Sequence, residues 1–251
     1  MPRYVIRLSY DGGRFNGWQK QPEVNTIQGT VEQAIRTITQ EKVTLYGSGR
    51  TDTGVHAEQQ FAHFDTVIPI DEQFLLHRLQ RMLPDDIFVY GIREVAEHFH
   101  ARFDAKWRQY RYQLLLHPDP FHRQYAWYPG SNLDWESFAE CLMLIEGEHD
   151  FSGFCRKGDN ITHCRCTVLY TKLEQHEDSM VLVYIRANRF LRSMIRTLTG
   201  AMVTVGIGKK NTEWFCNHLH EGEEIDNIAI APSKGLFLEK VFYPKDDLDL
   251  T

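Results

Sequence analysis

Apolar and polar residues alternate with a period of two over residues 3–10, "RYVIRLSY", the pattern of a half-buried strand. A polar, glycine-rich stretch follows, and then the period changes. Ile27, Val31, Ala34, Ile35 and Ile38 recur at helical spacing behind Thr26, a residue suited to cap a helix start. Strands are predicted near 42–46 and over "QFAHFDTVI", then a helix over "DEQFLLHRLQRML" that Pro84 stops. Further strands are predicted near 87–93 and over "RQYRYQLLLH". This succession is a β-α-β-β-α-β arrangement of ferredoxin type.

The second half predicts a helix near 134–146, strands near 165–172 and 180–187, and a strong helix over about 189–205. Leu191, Ile195, Leu198, Met202 and Val205 form its apolar face, and Arg189, Arg192 and Arg196 share another. Gly206 stands where a glycine ends a helix. After a polar loop, "KGLFLEKVFY" reads as a last strand. The expected class is α+β, with two ferredoxin- or RRM-like lobes, residues 1–105 and 106–251. Each is a mixed, mainly antiparallel sheet with helices on one side, and the two flank a central cleft.

Composition narrows the class of protein without naming a function. A chain of 251 residues, 42% hydrophobic and 25% charged, is that of an ordinary globular protein. No apolar run approaches the roughly 20 residues of a membrane span, and the alternating N-terminus does not read as a signal peptide. Five unevenly spaced cysteines point to reduced thiols, so a cytoplasmic location is expected.

The net charge of −6 argues against a nucleic-acid partner only on average. Acid gathers in "EQHED" (174–178), "EGEE" (221–224) and the tail. Base gathers in "ARFDAKWRQYR" (101–111) and in "RANRFLRSMIR" (186–196), which holds four arginines and no acid. Phe103, Trp107 and Tyr110 interleave the first basic stretch, and bases stack on such rings. That shifts the reading of these stretches from solvated basic faces toward an RNA partner.

The stretch "GSGRTDTGVHA", residues 47–57, sets Asp52 between Arg50 and Gly54 in a frame that also includes Gly47 and Gly49. Glycine permits positive φ and close backbone approach, so the loop is suited to hold one carboxylate in a fixed place. By itself such an aspartate could instead cap a turn.

Five segments in order resemble the TruA family of tRNA pseudouridine synthases. "YDGGRFNGWQKQ" resembles that family's N-terminal signature, and "GSGRTDTGVHA" its GRTDAGVHA motif. "FHARFDAKWRQYRY", "ANRFLRSMIRTLTG" and "APSKGLFL" resemble three later ones, so the resemblance runs almost end to end. It implies the pseudouridine synthase fold, a homodimer, and neither cofactor nor metal. It also implies isomerisation of uridine to pseudouridine in the anticodon stem-loop of tRNA, at tRNA positions 38, 39 and 40.

Carried over by position, Asp52 matches the catalytic aspartate, Arg50 the arginine of the same motif and Tyr110 the active-site tyrosine. Arg196 matches the arginine that pairs with the aspartate, and Leu236 the apolar residue near the target base. Arg102, Arg189, Arg192, Trp18 and Gln19, with Tyr110, are expected to contact RNA, although Trp18 reads at least as well as a packed ring. Thr53, Gln59 and Gln80 depart from the family pattern, and those positions are expected to touch RNA or support the loop.

Taken alone, Tyr110 and Leu236 could be core residues and Arg196 part of a solvated helix face. A catalytically silent RNA-binding protein of the same fold is the competing reading, and intact Asp52, Tyr110 and Arg196 speak against it. "HCRC" (163–166) with Cys155 invites a zinc site, but no Cys-x-x-Cys pair is present, and no metal is expected.

Overall fold

In a computed structural model the chain is described over residues 1–156, 163–176, 179–221, 229–244 and 248. The elements in order are β1 (Arg3–Tyr10), α1 (Ile27–Thr39), β2 (Tyr46–Gly47), β3 (His56–Asp65), α2 (Glu72–Met82) and β4 (Ile87–Val95). Then come β5 (Trp107–Leu115), α3 (Trp135–Leu144), β6 (Gly147–Asp150), β7 (Arg165–His176) and β8 (Met180–Ala187). α4 (Met194–Gly206), α5 (Thr212–Glu221) and β9 (Leu236–Phe242) close the chain. The architecture is α+β. Two compact units divide it: Met1–Trp107 with the segment from Phe237 onward, and Arg108–Leu236.

In the first unit β1 lies between β3 and β4, antiparallel to both, and β2 pairs with β3. That is the β4-β1-β3-β2 order of a ferredoxin-like sheet. β9 joins β3 in parallel at His56–Phe237 and Ala57–Leu238, which is why the C-terminal strand belongs to this unit and not to residues 106–251.

Thr26 caps α1 by accepting from the Gly29 amide, and Asp71 caps α2 by accepting from Phe74. Ile27, Val31 and Ile35 of α1 and Leu75 and Leu79 of α2 are buried, together with Ile6, Leu8 and Val89 of the strands. The Tyr4 hydroxyl accepts from the Ile70 amide just ahead of α2, so even-numbered β1 side chains face the helices and odd-numbered ones face away.

The second unit orders its strands β5-β8-β7-β6, all antiparallel. α4 is apolar almost all round and nearly wholly buried.

Several elements differ from the sequence pattern. The strand near 42–46 is only the two residues of β2. Val43 and Leu45 are buried ahead of it in extended chain, with the Leu45 amide bonded to Glu32 and not to a neighbouring strand. α4 begins at Met194, not 189, because Ser193 adopts φ +61° and breaks the helical run. Arg189 and Arg192 therefore precede the helix and do not share a face with Arg196. Gly206 is the last helical residue, and the left-handed glycine is Gly208, at φ +75°. The polar loop after α4 contains α5, anchored by buried Phe215 and Leu219. Residues 177–178 and 222–224 of the acidic stretches, with most of the acidic tail, lie outside the described residues.

Candidate active site

In the first unit, the loop that carries Asp52 leaves β2 and re-enters the sheet at β3. Both sides of it are tied down. Ser48 donates to Gln60 (2.5 Å) and Gln60 to the Gly49 carbonyl (3.0 Å), with Gln60 fully buried. The Asp52 carbonyl accepts from Val55 (3.1 Å), closing a tight turn in which Gly54 takes φ +75°. Gly47 is needed because a Cβ there would lie 2.7 Å from the Trp18 ring. Gly49 has neither a positive φ nor a close neighbour, so only two of the three framing glycines are required by geometry.

The segment after β1 braces the loop from beneath. The Trp18 amide donates to the Thr51 carbonyl (3.0 Å), and the Tyr10 hydroxyl meets the Thr51 hydroxyl at 2.8 Å. Burial pushes the Tyr10 phenol well above its ordinary range, opposed by its bonds to Thr51 and Gln60, so it stays neutral and able to donate. Nδ1 of buried His56 lies 2.9 Å from an Asp11 carboxylate oxygen and 3.2 Å from the Gly12 amide. A Cβ on Gly12 would sit 2.0 Å from the Val55 carbonyl. Asp52 itself is half-buried, whereas Arg50 and Thr53 are exposed. The result is a carboxylate presented on a rigid backbone.

Gly17 lies against the backbone of Thr51 and Asp52. Its φ is +82°, and a Cβ there would lie 2.6 Å from the Thr51 oxygen and 3.1 Å from the Asp52 carbonyl carbon. Gly17→Ala is expected to cost about 1–3 kcal/mol of stability. It should also slow the chemical step about 100-fold by shifting the acid. A thermal melt and a single-turnover rate measured together check this; a melt that drops while the rate holds would show that the brace serves stability alone.

In the second unit, Arg108, Tyr110 and Tyr112 alternate onto one face of β5 and are buried. The Tyr110 ring meets Phe190 edge-on at 4.9 Å. Tyr112 donates to the Pro232 carbonyl at 2.8 Å, and a Cβ on Gly235 would lie 2.9 Å from the Tyr112 ring. Burial raises the Tyr112 phenol far above its ordinary range, and the nearby Arg196 charge opposes that rise.

Arg196, on α4, donates through Nε to the Ala231 carbonyl at 2.8 Å, and its own carbonyl accepts from the Ala231 amide at 3.1 Å. Gly200 lets the Ala229 carbonyl approach where a Cβ would clash at 2.1 Å. Residues 229–236 are thus held to α4 by the two Arg196–Ala231 bonds and to β5 by the Tyr112 hydroxyl, and they deliver buried Leu236 to the head of β9. Tyr110, Arg196 and Leu236 belong to one unit and Asp52 and Arg50 to the other.

The expected RNA contacts fare unevenly. Trp18 is 2% exposed and packed on Tyr10 and Gly47, so it is a brace and not a surface contact. Gln19, Arg102 and Arg192 are exposed. The Arg102 guanidinium lies 5.8 Å from the Phe103 ring, and Arg189 is half-buried with its guanidinium 3.3 Å from His163. Two departures from the family pattern have structural partners: Gln59 accepts from Val241 of β9 (2.9 Å), and Gln80 donates to Val89 of β4 (2.9 Å). The bracing set of Tyr10, Gly12, His56, Gln60 and Tyr112 escapes sequence reasoning, although the glycines after β1 are its visible trace.

A family model described as tRNA pseudouridine synthase matches residues 8–104 and 142–244. The chain is 37% identical to the tRNA pseudouridine synthase A of Pseudothermotoga lettingae, over 96% of this chain and 99% of that protein. It is 40% identical to the enzyme of the same name from Gloeobacter violaceus, over 97% of this chain and 81% of that one. The Bacteroides thetaiotaomicron protein of that name is 37% identical, with 98% and 92% covered.

Proposed function

The chain belongs to the tRNA pseudouridine synthase family, and from that premise we propose that it isomerises uridine to pseudouridine in the anticodon stem-loop of tRNA, at tRNA positions 38, 39 and 40. The reading is of a cytoplasmic homodimer that needs no cofactor or metal. The observation that supports it most is the backbone around Asp52, held by Tyr10, Gly12, Gly17 and Gln60 while the side chain remains half-exposed.

The reaction breaks the C1′–N1 bond of a uridine, joins C1′ to C5, moves the C5 proton off the ring and leaves N1 protonated. No electrons leave the substrate. The target base must first be drawn out of its stack, at a cost of a few kcal/mol that stacking on a protein ring offsets in part. Asp52 serves as nucleophile, at C1′ or C6, or as acceptor of a sugar proton. Tyr110 supplies the ring. Arg196 serves the chemistry as a permanent cation, and Leu236 keeps water from the freed uracil. Arg50, Arg102, Arg189, Arg192 and Gln19 serve the RNA backbone.

Incubation with unmodified tRNA transcripts, followed by mapping of pseudouridine, tests the proposal. New pseudouridine confined to the anticodon arm is the expected result. Product elsewhere in the tRNA would overturn the assignment of position, and none at all would favour a silent RNA-binding protein.

A further inference from the structure

On the helix-free face of the first unit, two large aromatic side chains stand in solvent with no structural reason to be there. Phe88 is 45% exposed and Tyr90 40% exposed, and their rings meet edge-on at 4.9 Å. A short segment, 99–103, and Tyr243 cover the neighbouring part of that face. There Ala101 donates to His63, and Tyr243 packs on Phe61 and bonds the Ala101 carbonyl. The cover does not extend over Phe88 and Tyr90.

The backbone is shaped to place the pair. Between β1 and β4 the register slips, Arg7 facing Gly91 while Leu8 faces Val89, so Tyr90 is the extra residue of a bulge. A bulge re-aims side chains. Here it sets Tyr90 beneath Arg7, whose guanidinium lies 4.7 Å above the ring, with the Tyr90 hydroxyl 3.3 Å from Ser9. Tyr90 is thereby held from above and from its tip. Phe88, opposite Ser9, is the ring left to receive a partner. Arg93, paired with Val5, projects from the same side as Arg7.

The position is continuous with the catalytic loop. Asp86, two residues ahead of Phe88, accepts through its carbonyl from the Asp11 amide, and its carboxylate meets Arg14 at 3.6 Å. Asp11 adjoins Gly12, whose backbone lies against Val55, three residues from Asp52. Exposed rings edged by arginines suit a nucleobase with its phosphate better than an apolar protein face, because every base offers a π-face and the phosphate a negative charge.

We propose that Phe88, held by Tyr90 and Arg7, is a stacking platform for an unpaired nucleotide of the substrate RNA, separate from the nucleotide that reacts. The inference rests on the RNA-modifying reading above, but it is tested by binding and so does not depend on turnover. Phe88→Ala in the full chain is expected to weaken tRNA binding about tenfold. It should leave the single-turnover rate at saturating tRNA and the salt slope of binding unchanged, since neither chemistry nor a phosphate contact is touched. Phe88→Trp should bind at least as tightly as the parent, and Phe88→Leu, which keeps apolar area without a π-face, should resemble alanine.

Unchanged tRNA affinity in both Phe88→Ala and Tyr90→Ala would overturn the platform, as would parent-like affinity in Phe88→Leu. So would a halved mass by light scattering in Phe88→Ala, which would make the patch a contact with a second copy of the chain. A parent protein that binds tRNA but forms no pseudouridine would sink the enzymatic reading and leave this one standing.

Discussion

Asp52→Ala is expected to abolish pseudouridine formation, lowering the single-turnover rate by about 10⁴-fold or more, while tRNA affinity stays within about threefold of the parent. The structural reason is local. Thr51 is held through its carbonyl by Trp18 and through its hydroxyl by Tyr10, and the turn closes from Val55 to the Asp52 carbonyl, all without the carboxylate. These backbone and Thr51 bonds should keep the loop in place without the carboxylate, and a melt of the variant checks that. Binding could even tighten, because one negative charge near phosphates has gone. Asp52→Asn, which keeps the shape and one acceptor oxygen but not the charge or the nucleophile, should be as inactive as alanine. A variant that still turns over, or one that loses tRNA as well as activity, would remove Asp52 from the catalytic role.

How much of this was legible in the sequence depends on what each element is made of. β1, α1, α2 and β5 carry clean periods of two or 3.6, and Thr26, Asp71 and Pro84 mark the helix ends, so pattern alone finds them. β6 is "GEHD", four residues without an apolar period. Its pairing with β7 is a tertiary fact that no local pattern records. α5 offers only Phe215 and Leu219 to the core, too few to stand out in a polar stretch.

The start of α4 misleads because Leu191 is in phase with Ile195, although Ser193 lies between them in the left-handed region. Asp52 is legible because its motif is dense and ordered, whereas its supports are scattered along the chain. Tyr10, Gly12, Gly17, His56 and Gln60 mean nothing as a set until β1 and β3 are paired. Trp18 reads two ways in sequence, as a surface contact or a packed ring, and its burial against Gly47 decides for the packed ring.

Arg196 is expected to separate from its neighbours as chemistry separates from binding. Its Nε–H bond to the Ala231 carbonyl fixes the plane of the guanidinium, and it approaches Tyr112 closely enough for its charge to act on that phenol. Lysine keeps the charge but lacks the planar fork and the Nε donor. Arg196→Lys is therefore expected to lower the single-turnover rate about 100-fold, as loss of one fixed donor does in other enzymes, with tRNA affinity and its salt slope nearly unchanged. Backbone pairing between residues 196 and 231 survives the substitution, because the Ala231 amide bonds the residue 196 carbonyl and not its side chain. The fold should persist. Arg192→Ala should do the reverse. Arg192 is exposed and lies ahead of the helix, so its removal should lower affinity and reduce the salt slope by about one for each phosphate it neutralises. The rate should be unchanged once tRNA saturates. Rates and affinities at several salt concentrations distinguish the two patterns. If Arg196→Lys reacts at the parent rate but binds weakly, the arginine serves a phosphate like its neighbours, and its proposed part in the chemistry falls.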